Sequence, residues 1–126
     1  MEILAGRVLL RPVDPDRSLA FYRDVLGLAV YREFAGGTVF FLGGGYLEVS
    51  GRSEPGAVDD RLRLWVQVRD LAAAHGELLA RGATIVRAPR REPWGLDEMW
   101  VTDPDGLRIA VVEVPPEHPI RRDPRS

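Results

Sequence analysis

The chain has 126 residues and a mass of 14.0 kDa, with a formal net charge of −2 and 45% hydrophobic residues. These values predict one soluble globular domain and exclude the strongly basic surface typical of nucleic-acid-binding proteins. The absence of cysteine excludes disulfides, thiolate metal sites, iron–sulfur clusters and cysteine nucleophiles. All 17 basic residues are arginine, so no lysine is present to form a Schiff base or to anchor a phosphate.

The first half of the chain predicts a strand, a helix and three further strands. The strand covers residues 8–12, and the helix has Asp14 as its N-cap and Pro15 as its first residue. Gly27 is placed to end this helix in a left-handed conformation. The three strands that follow, separated by glycine-rich turns, are predicted at residues 29–34, 38–42 and 46–50.

The second half repeats this order of elements. Residues 62–68 predict a strand, Asp70 caps a second helix, and Gly82 ends it. The last strands are predicted at residues 84–87, 99–102 and 107–114, the final two forming a hairpin around the turn DPDG at residues 103–106.

The repeat predicts an α+β fold made of two βαβββ modules, at about residues 5–50 and 61–114. We assign residues 1–115 to one domain and expect residues 116–126 to form a mobile tail. No apolar run reaches membrane length, and the first 11 residues are too few and too charged for a signal peptide. We therefore expect a cytoplasmic protein that binds neither membranes nor nucleic acids.

Five short segments follow one another along the chain: FYRDVLGL at 21–28, VRDL at 68–71, LARGA at 79–83, PWG at 93–95 and DPDG at 103–106. Their order resembles that of the vicinal oxygen chelate superfamily over nearly the whole chain. This superfamily includes glyoxalase I, extradiol dioxygenases, fosfomycin-resistance enzymes and bleomycin-resistance binding proteins. The resemblance implies two βαβββ modules that pair into an incomplete barrel around a cleft.

The metalloenzymes of this superfamily hold a metal through four side chains that face the cleft. The resemblance places these positions at Arg7, Glu48, Arg63 and Ala110. Arginine stays protonated and alanine has no donor atom, so Glu48 alone is able to bind a divalent cation. One carboxylate does not meet the need for three or more protein ligands. We therefore expect no metal, no cofactor and no catalytic residue of the metalloenzyme type.

The two-residue period of the strands predicts which side chains line the cleft. Arg63, Trp65 and Gln67 share one face, while the apolar residues between them face the helices. Glu48 is expected to form an ion pair with Arg63 or Arg7 in the place of the metal. The predicted ligand-binding residues are Arg7, Tyr46, Glu48, Arg63, Trp65, Gln67, Trp94 and Trp100.

Structural interpretations of the same residues stay open. Trp65 is also compatible with a place in the core, Trp94 with a lid over Gly95, and Glu48 with a solvated surface pair.

Other titratable residues receive a structural interpretation only. Asp97 and Glu98 are interpreted as loop charges, and His75 and His118 as surface residues.

We expect a non-catalytic protein that binds a small aromatic molecule. The stretches around Trp65 and Trp94 resemble the bleomycin-resistance branch, whose members are homodimers that sequester an antibiotic in aromatic grooves. That resemblance implies a homodimer, resistance to an aromatic antibiotic and arginine contacts to acidic or carbonyl groups. The alternatives are a metal-dependent lyase or dioxygenase of the glyoxalase type and metal-free acid–base catalysis by Glu48.

Overall fold

The computed structural model describes residues 1–119, so residues 120–126 of the predicted tail lie outside the described residues. The chain divides into two compact units. The first unit contains residues 1–58 together with the turn at 103–106, and the second contains residues 59–102 and the chain from 107 onward.

The first unit contains a four-stranded mixed sheet with one helical segment. Its strand order is β1-β4-β3-β2, with β1 parallel to β4 and the other neighbours antiparallel. A π-helical segment, Phe21–Val25, continues α1. The elements are β1 (Val8–Leu10), α1 (Pro15–Ala20), β2 (Val30–Phe34), β3 (Gly37–Leu42) and β4 (Gly45–Ser50).

The second unit repeats this βαβββ order. Its sheet has the order β5-β8-β7-β6, with β5 parallel to β8 and the other neighbours antiparallel. The elements are β5 (Leu64–Gln67), α2 (Leu71–Ala80), β6 (Thr84–Arg91), β7 (Asp97–Thr102) and β8 (Arg108–Glu113). The α+β class with two βαβββ modules is thus confirmed.

The predicted helix caps are confirmed in both units. The side chains of Asp14 and Asp70 accept hydrogen bonds from the first-turn amides of Arg17 and Ala73, at 3.3 and 3.0 Å. The helical segments end at glycines with positive φ, 77° at Gly27 and 79° at Gly82.

Four predicted strand boundaries differ from the structure by two residues or more. β1 ends at Leu10 and not at residue 12. β5 begins at Leu64, so Arg63 precedes the strand. β6 extends to Arg91 because it continues to pair with β7 beyond residue 87. β7 begins at Asp97, which makes Asp97 and Glu98 strand residues and not loop charges.

Each sheet has one face covered by its helix. In the second unit α2 packs against β6, β7 and β8. Alternation along the strands places the apolar residues on the face that α2 covers, and they are therefore buried. They include Leu64, Met99, Val101, Ile109 and Val111. The opposite face of this sheet carries the polar and aromatic side chains described below.

A buried hydrogen bond fixes the DPDG turn within the first unit. The Tyr22 hydroxyl donates to Oδ2 of Asp103 at 2.8 Å, and Tyr22 is fully buried. Burial, together with the Asp103 carboxylate, raises the pKa of Tyr22 far above its usual range. Tyr22 therefore stays protonated and keeps donating. Asp105 adds a second contact, because its Oδ2 accepts from the amide of Val13 at 3.1 Å.

Among residues 1–119, no helix combines the length and the apolar character that a membrane span requires.

Tyr22→Phe is expected to lower the free energy of unfolding by about 1–3 kcal/mol, because the buried Asp103 carboxylate loses a hydrogen-bond donor. Urea denaturation measures the change. Tyr31→Phe is the matched control, since Tyr31 is half-exposed and makes ring contacts. Equal stability losses in the two variants would show that the Tyr22 hydroxyl has no special role.

Candidate functional site

The polar face of the second sheet contains a row of side chains that runs across all four strands. Trp65 on β5 is opposite Ala110 on β8, Ala110 is opposite Trp100 on β7, and Trp100 is opposite Arg87 on β6. Residues opposite each other on neighbouring strands point to the same face. Two tryptophans therefore flank a small residue, with an arginine at the end of the row.

Three guanidinium groups surround the indole of Trp100. The Cζ atoms of Arg87, Arg108 and Arg63 lie 3.7, 5.2 and 5.5 Å from the centre of the ring. At these distances each cation is attracted to the π-face of the ring. Trp100 itself is partly buried and packs against Ala110, Val112 and neighbouring apolar residues. The indole is thus held in place from several sides.

Glu98 connects the two tryptophans of the β7 region. Its Oε2 accepts from Nε1 of Trp94 at 2.7 Å, and its Oε1 accepts from Nε1 of Trp100 at 3.2 Å. Glu98 is 5% exposed, so its carboxylate has little access to water. Because both carboxylate oxygens accept an indole N–H, Glu98 sets the orientation of both rings.

A second buried carboxylate, Glu92, neutralises Arg87. Glu92 is 3% exposed and forms an ion pair with Nη2 of Arg87, which also donates to the carbonyl oxygen of Glu98 at 3.2 Å. Nε of Arg90 lies 3.7 Å from Oε1 of Glu92. These contacts hold the guanidinium of Arg87 over Trp100.

Arg108 makes no ion pair with any carboxylate in residues 1–119. Its Nε atom is buried and has no hydrogen-bond partner there, and the same is true of Nε and Nη1 of Arg87. A buried donor without an acceptor costs free energy relative to one in water. Among the described residues, no carboxylate balances the charge of Arg108 and no acceptor binds these three N–H groups.

The other predicted site residues of this unit lie at the surface. Trp65 is 48% exposed, which excludes a place in the core, and Gln67 is exposed. Trp94 is 55% exposed, and its carbonyl oxygen lies 3.1 Å from Nε2 of His118. Arg63 pairs with Asp60 at 3.3 Å, and an exposed pair of this kind contributes little to stability.

In the first unit, Glu48 is held by two neighbours. Nη1 of Arg7 lies 3.0 Å from Oε1 of Glu48, and the Ser50 hydroxyl donates to Oε2 at 2.7 Å. The pKa of Glu48 is lowered, first by the Ser50 hydrogen bond and then by Arg7 and Arg11, against a smaller opposing effect of partial burial. Of the two partners considered for Glu48, the structure shows Arg7.

Tyr46 belongs to an aromatic cluster in the same unit. Its ring centre lies 4.9 Å from that of Tyr31 and 5.8 Å from that of Phe41, and the rings of Tyr31 and Phe41 are 5.1 Å apart. Tyr31 and Phe41 were not among the predicted site residues. The pairing of Phe41 with Tyr46 on adjacent strands is the feature that brings the cluster together.

The model of the Glyoxalase/Bleomycin resistance protein/Dioxygenase superfamily matches residues 5–111. The chain belongs to this superfamily. No curated protein matches the chain significantly.

Solved structures of the same fold resemble the chain over most of its length. TioX from Micromonospora sp. ML1 is 25% identical, with a TM-score of 0.70 and coverage of 87% of this chain and 95% of TioX. A protein of unknown function from Agrobacterium tumefaciens str. C58 is 24% identical, with a TM-score of 0.75 and coverage of 91% and 95%. A superfamily member from Sphaerobacter thermophilus DSM 20745 is 23% identical, with a TM-score of 0.65 and coverage of 89% and 98%.

At the four positions where the resemblance implies metal ligands, the side chains of this chain do not fit a metal ion. Arg7 and Arg63 are guanidinium groups engaged with carboxylates, and Ala110 has no donor atom. Glu48 is the one carboxylate at these positions, and it is paired with Arg7. Within residues 1–119 no group of three or more His, Asp or Glu side chains is arranged to hold a metal ion.

Sequence reasoning missed Arg87, Glu92, Glu98 and Arg108 as members of the candidate site. Alternation with Ala110 does place Arg108 on this face, although Arg108 was not counted among the ligand-binding residues. The alternation of Glu98 with Trp100 is the signal that could have placed Glu98 there. Arg87 and Glu92 had no such signal, because their placement depends on where β6 ends and how it pairs with β7.

Glu98→Gln is expected to destabilise the protein by about 1–3 kcal/mol, because the amide nitrogen of glutamine cannot accept an indole N–H. Urea denaturation measures the stability, and tryptophan emission reports the environment of Trp94 and Trp100. The emission maximum is expected to shift. Glu77→Gln, on the exposed side of α2, is the matched control and should change neither property.

Glu48 is expected to make the stability of the protein depend on pH in the acid range. Its pKa lies below the ordinary value of 4.5, so its contribution is present above that value and is lost as the pH falls through the lowered pKa. Glu48→Gln removes this contribution. Denaturation curves from neutral pH to about pH 3 should therefore show a smaller acid loss in the variant than in the wild type.

Glu54→Gln, an exposed substitution of the same type, is the control and should follow the wild-type curve. If the free energy of unfolding of Glu48→Gln falls with pH in parallel with that of the wild type, the pH dependence does not come from Glu48.

Proposed function

We propose that this superfamily member binds a small aromatic molecule and does not transform it. The observation that carries the proposal is the row containing Trp65, Ala110 and Trp100 on the polar face of the second sheet. Trp65 leaves about half of its surface accessible, beside a residue with a small side chain. Exposed indole surface provides rigid contact area for a flat ligand at a low cost in conformational entropy.

The arginines around Trp100 support the same function. Guanidinium groups stack on aromatic rings and donate hydrogen bonds to carbonyl or acidic groups of a ligand. Arg63, Arg87 and Arg108 are held within 5.5 Å of the ring centre of Trp100. A ligand with a flat ring and polar substituents therefore matches both parts of this face.

Acid–base catalysis by Glu48 has less support. A general base works best when its pKa lies near the working pH. The Ser50 hydroxyl and the Arg7 guanidinium instead lower the pKa of Glu48 and occupy both of its oxygens. A metal-dependent lyase or dioxygenase has less support still, because the donor set described above does not fit a metal.

Within the superfamily, we place the chain with the bleomycin-resistance branch. The support is the resemblance of the stretches around Trp65 and Trp94, together with the exposure of both indoles. The ligand on this proposal is an aromatic antibiotic or natural product that the protein sequesters. The homodimeric state and the cytoplasmic location belong to the same proposal.

A thermal-shift screen against aromatic antibiotics and 2-oxoaldehyde adducts, with and without divalent metals, tests the function. A ligand at one hundred times its dissociation constant should stabilise the protein by about 2.7 kcal/mol. Aromatic compounds are expected to raise Tm without added metal. Trp65→Ala should weaken this binding, because it removes the exposed indole.

Leu79→Ala, at an apolar residue of similar exposure on α2 of the same unit, is the matched control and should bind as the wild type does. Stabilisation that appears only when metal and an adduct are present together would overturn the proposal in favour of an enzyme.

A further inference from the structure

We propose that the polar face of the second unit selects aromatic ligands that carry a carboxylate, with Arg108 as the anchoring group and Arg63 beside it. This inference rests on the proposed function and names the chemical class of its ligand. It follows from the charges around Trp100, from the hydrogen-bond donors that have no partner, and from the spacing of the residues on the sheet.

Of the three arginines around Trp100, two have a direct ion pair and Arg108 has none within residues 1–119. Arg87 is neutralised by the buried Glu92. Arg63 is paired with Asp60 at 3.3 Å, but the Asp60 side chain is 70% exposed, so water competes for this contact. Arg108 forms no ion pair within residues 1–119, although its guanidinium lies 5.2 Å from the ring centre of Trp100.

Glu98 does not form an ion pair with Arg108, although it lies on the same face. Both of its carboxylate oxygens accept an indole N–H, from Trp94 and from Trp100. It forms no ion pair within 4.0 Å among the described residues. Glu98 therefore positions the two rings, while the guanidinium of Arg108 keeps its own capacity to bind an anion.

The shape of the Arg108 guanidinium suits an anion with two oxygens. Nε of Arg108 is buried without an acceptor in the part of the chain described by the structure. A guanidinium presents parallel N–H groups whose geometry matches a carboxylate, and such charge-assisted bonds are stronger than neutral ones. Nε itself lies below the surface, but the Arg108 side chain is partly exposed, so a ligand carboxylate would meet the outer N–H groups of the guanidinium and compensate a charge that no described carboxylate pairs.

The spacing on the sheet indicates how close the carboxylate and the ring must be. Arg108 and Ala110 are two residues apart on β8, so their side chains share a face about 7 Å apart. Ala110 in turn is opposite the half-exposed Trp65. A ring stacked beside Trp65 therefore reaches Arg108 with a carboxylate that is attached directly to the ring or through a short link.

Arg63 extends the same positive surface. It directly precedes β5, the strand that carries Trp65, and its Cζ lies 5.5 Å from the ring centre of Trp100. Its exposed pair with Asp60 is weak enough to be exchanged for a ligand carboxylate. The guanidinium groups of Arg63, just before β5, and of Arg108, on the neighbouring β8, thus lie close to the same aromatic ring.

Binding of 2-naphthoate and 2-naphthamide by the full chain tests the proposal. The two probes share the ring and differ in charge. Isothermal titration calorimetry and tryptophan quenching should show naphthoate binding about tenfold or more tightly near neutral pH. The naphthoate affinity should also fall as salt is added, because ions screen the attraction, while the naphthamide affinity should change little.

Arg108→Gln should abolish the preference for naphthoate over naphthamide, because the substituted side chain carries no charge. Arg69→Gln is the matched control, since Arg69 is exposed in the same unit and the substitution changes the net charge equally. This control should keep the wild-type preference. If Arg108→Gln fails to fold, Arg63→Gln at the surface makes the same comparison, with a reduced preference expected.

The outcomes separate this inference from the proposed function. Equal affinity for naphthoate and naphthamide, or a preference that survives in Arg108→Gln, overturns the carboxylate assignment and leaves the aromatic-binding function standing. If the wild-type chain is folded and binds neither naphthoate nor naphthamide, the result contradicts the aromatic-binding function itself. Tight naphthoate binding that depends on Arg108 supports both.

Discussion

Two almost fully buried carboxylates, Glu92 and Glu98, determine how the polar face of the second sheet is built. A buried charge is costly unless hydrogen bonds or an opposite charge compensate it. The ion pair with Arg87 compensates Glu92, and the indole N–H groups of Trp94 and Trp100 compensate Glu98. The positions of these partners are therefore consequences of burying the two carboxylates, and the arrangement of cations around Trp100 follows from them.

The irregular pairing of β6 with β7 makes this arrangement possible. Arg87 pairs with Trp100 and Arg90 with Glu98, so three steps along β6 correspond to two along β7. Such an irregularity inserts an extra residue and redirects side chains. It brings the backbone positions of both arginines opposite residues of the polar face, which regular two-residue alternation along β6 would not do.

Local signals in the sequence were sufficient to predict the two modules and the helix caps. They were not sufficient to predict all residues of the candidate site. The caps at Asp14 and Asp70 depend on contacts within one helical turn, and they occur where the sequence predicts them. The exposure of Trp65 follows from alternation along one strand. Glu98 was misplaced in a loop, and Arg87 was overlooked, because their environment depends on the length and irregular register of β6 and β7. Pairing between strands is a non-local property that a pattern along the chain does not contain.

The exclusive use of arginine as the basic residue has a consequence for the face around Trp100. A guanidinium stays protonated throughout the pH range in which proteins are folded, whereas an ammonium group in a dry environment can lose its proton. The three cations near this indole are therefore permanent charges. Acidification cannot switch them on and alkaline conditions cannot switch them off, so any proton-linked change in what this face attracts must originate in a group other than these arginines, of the protein or of the ligand.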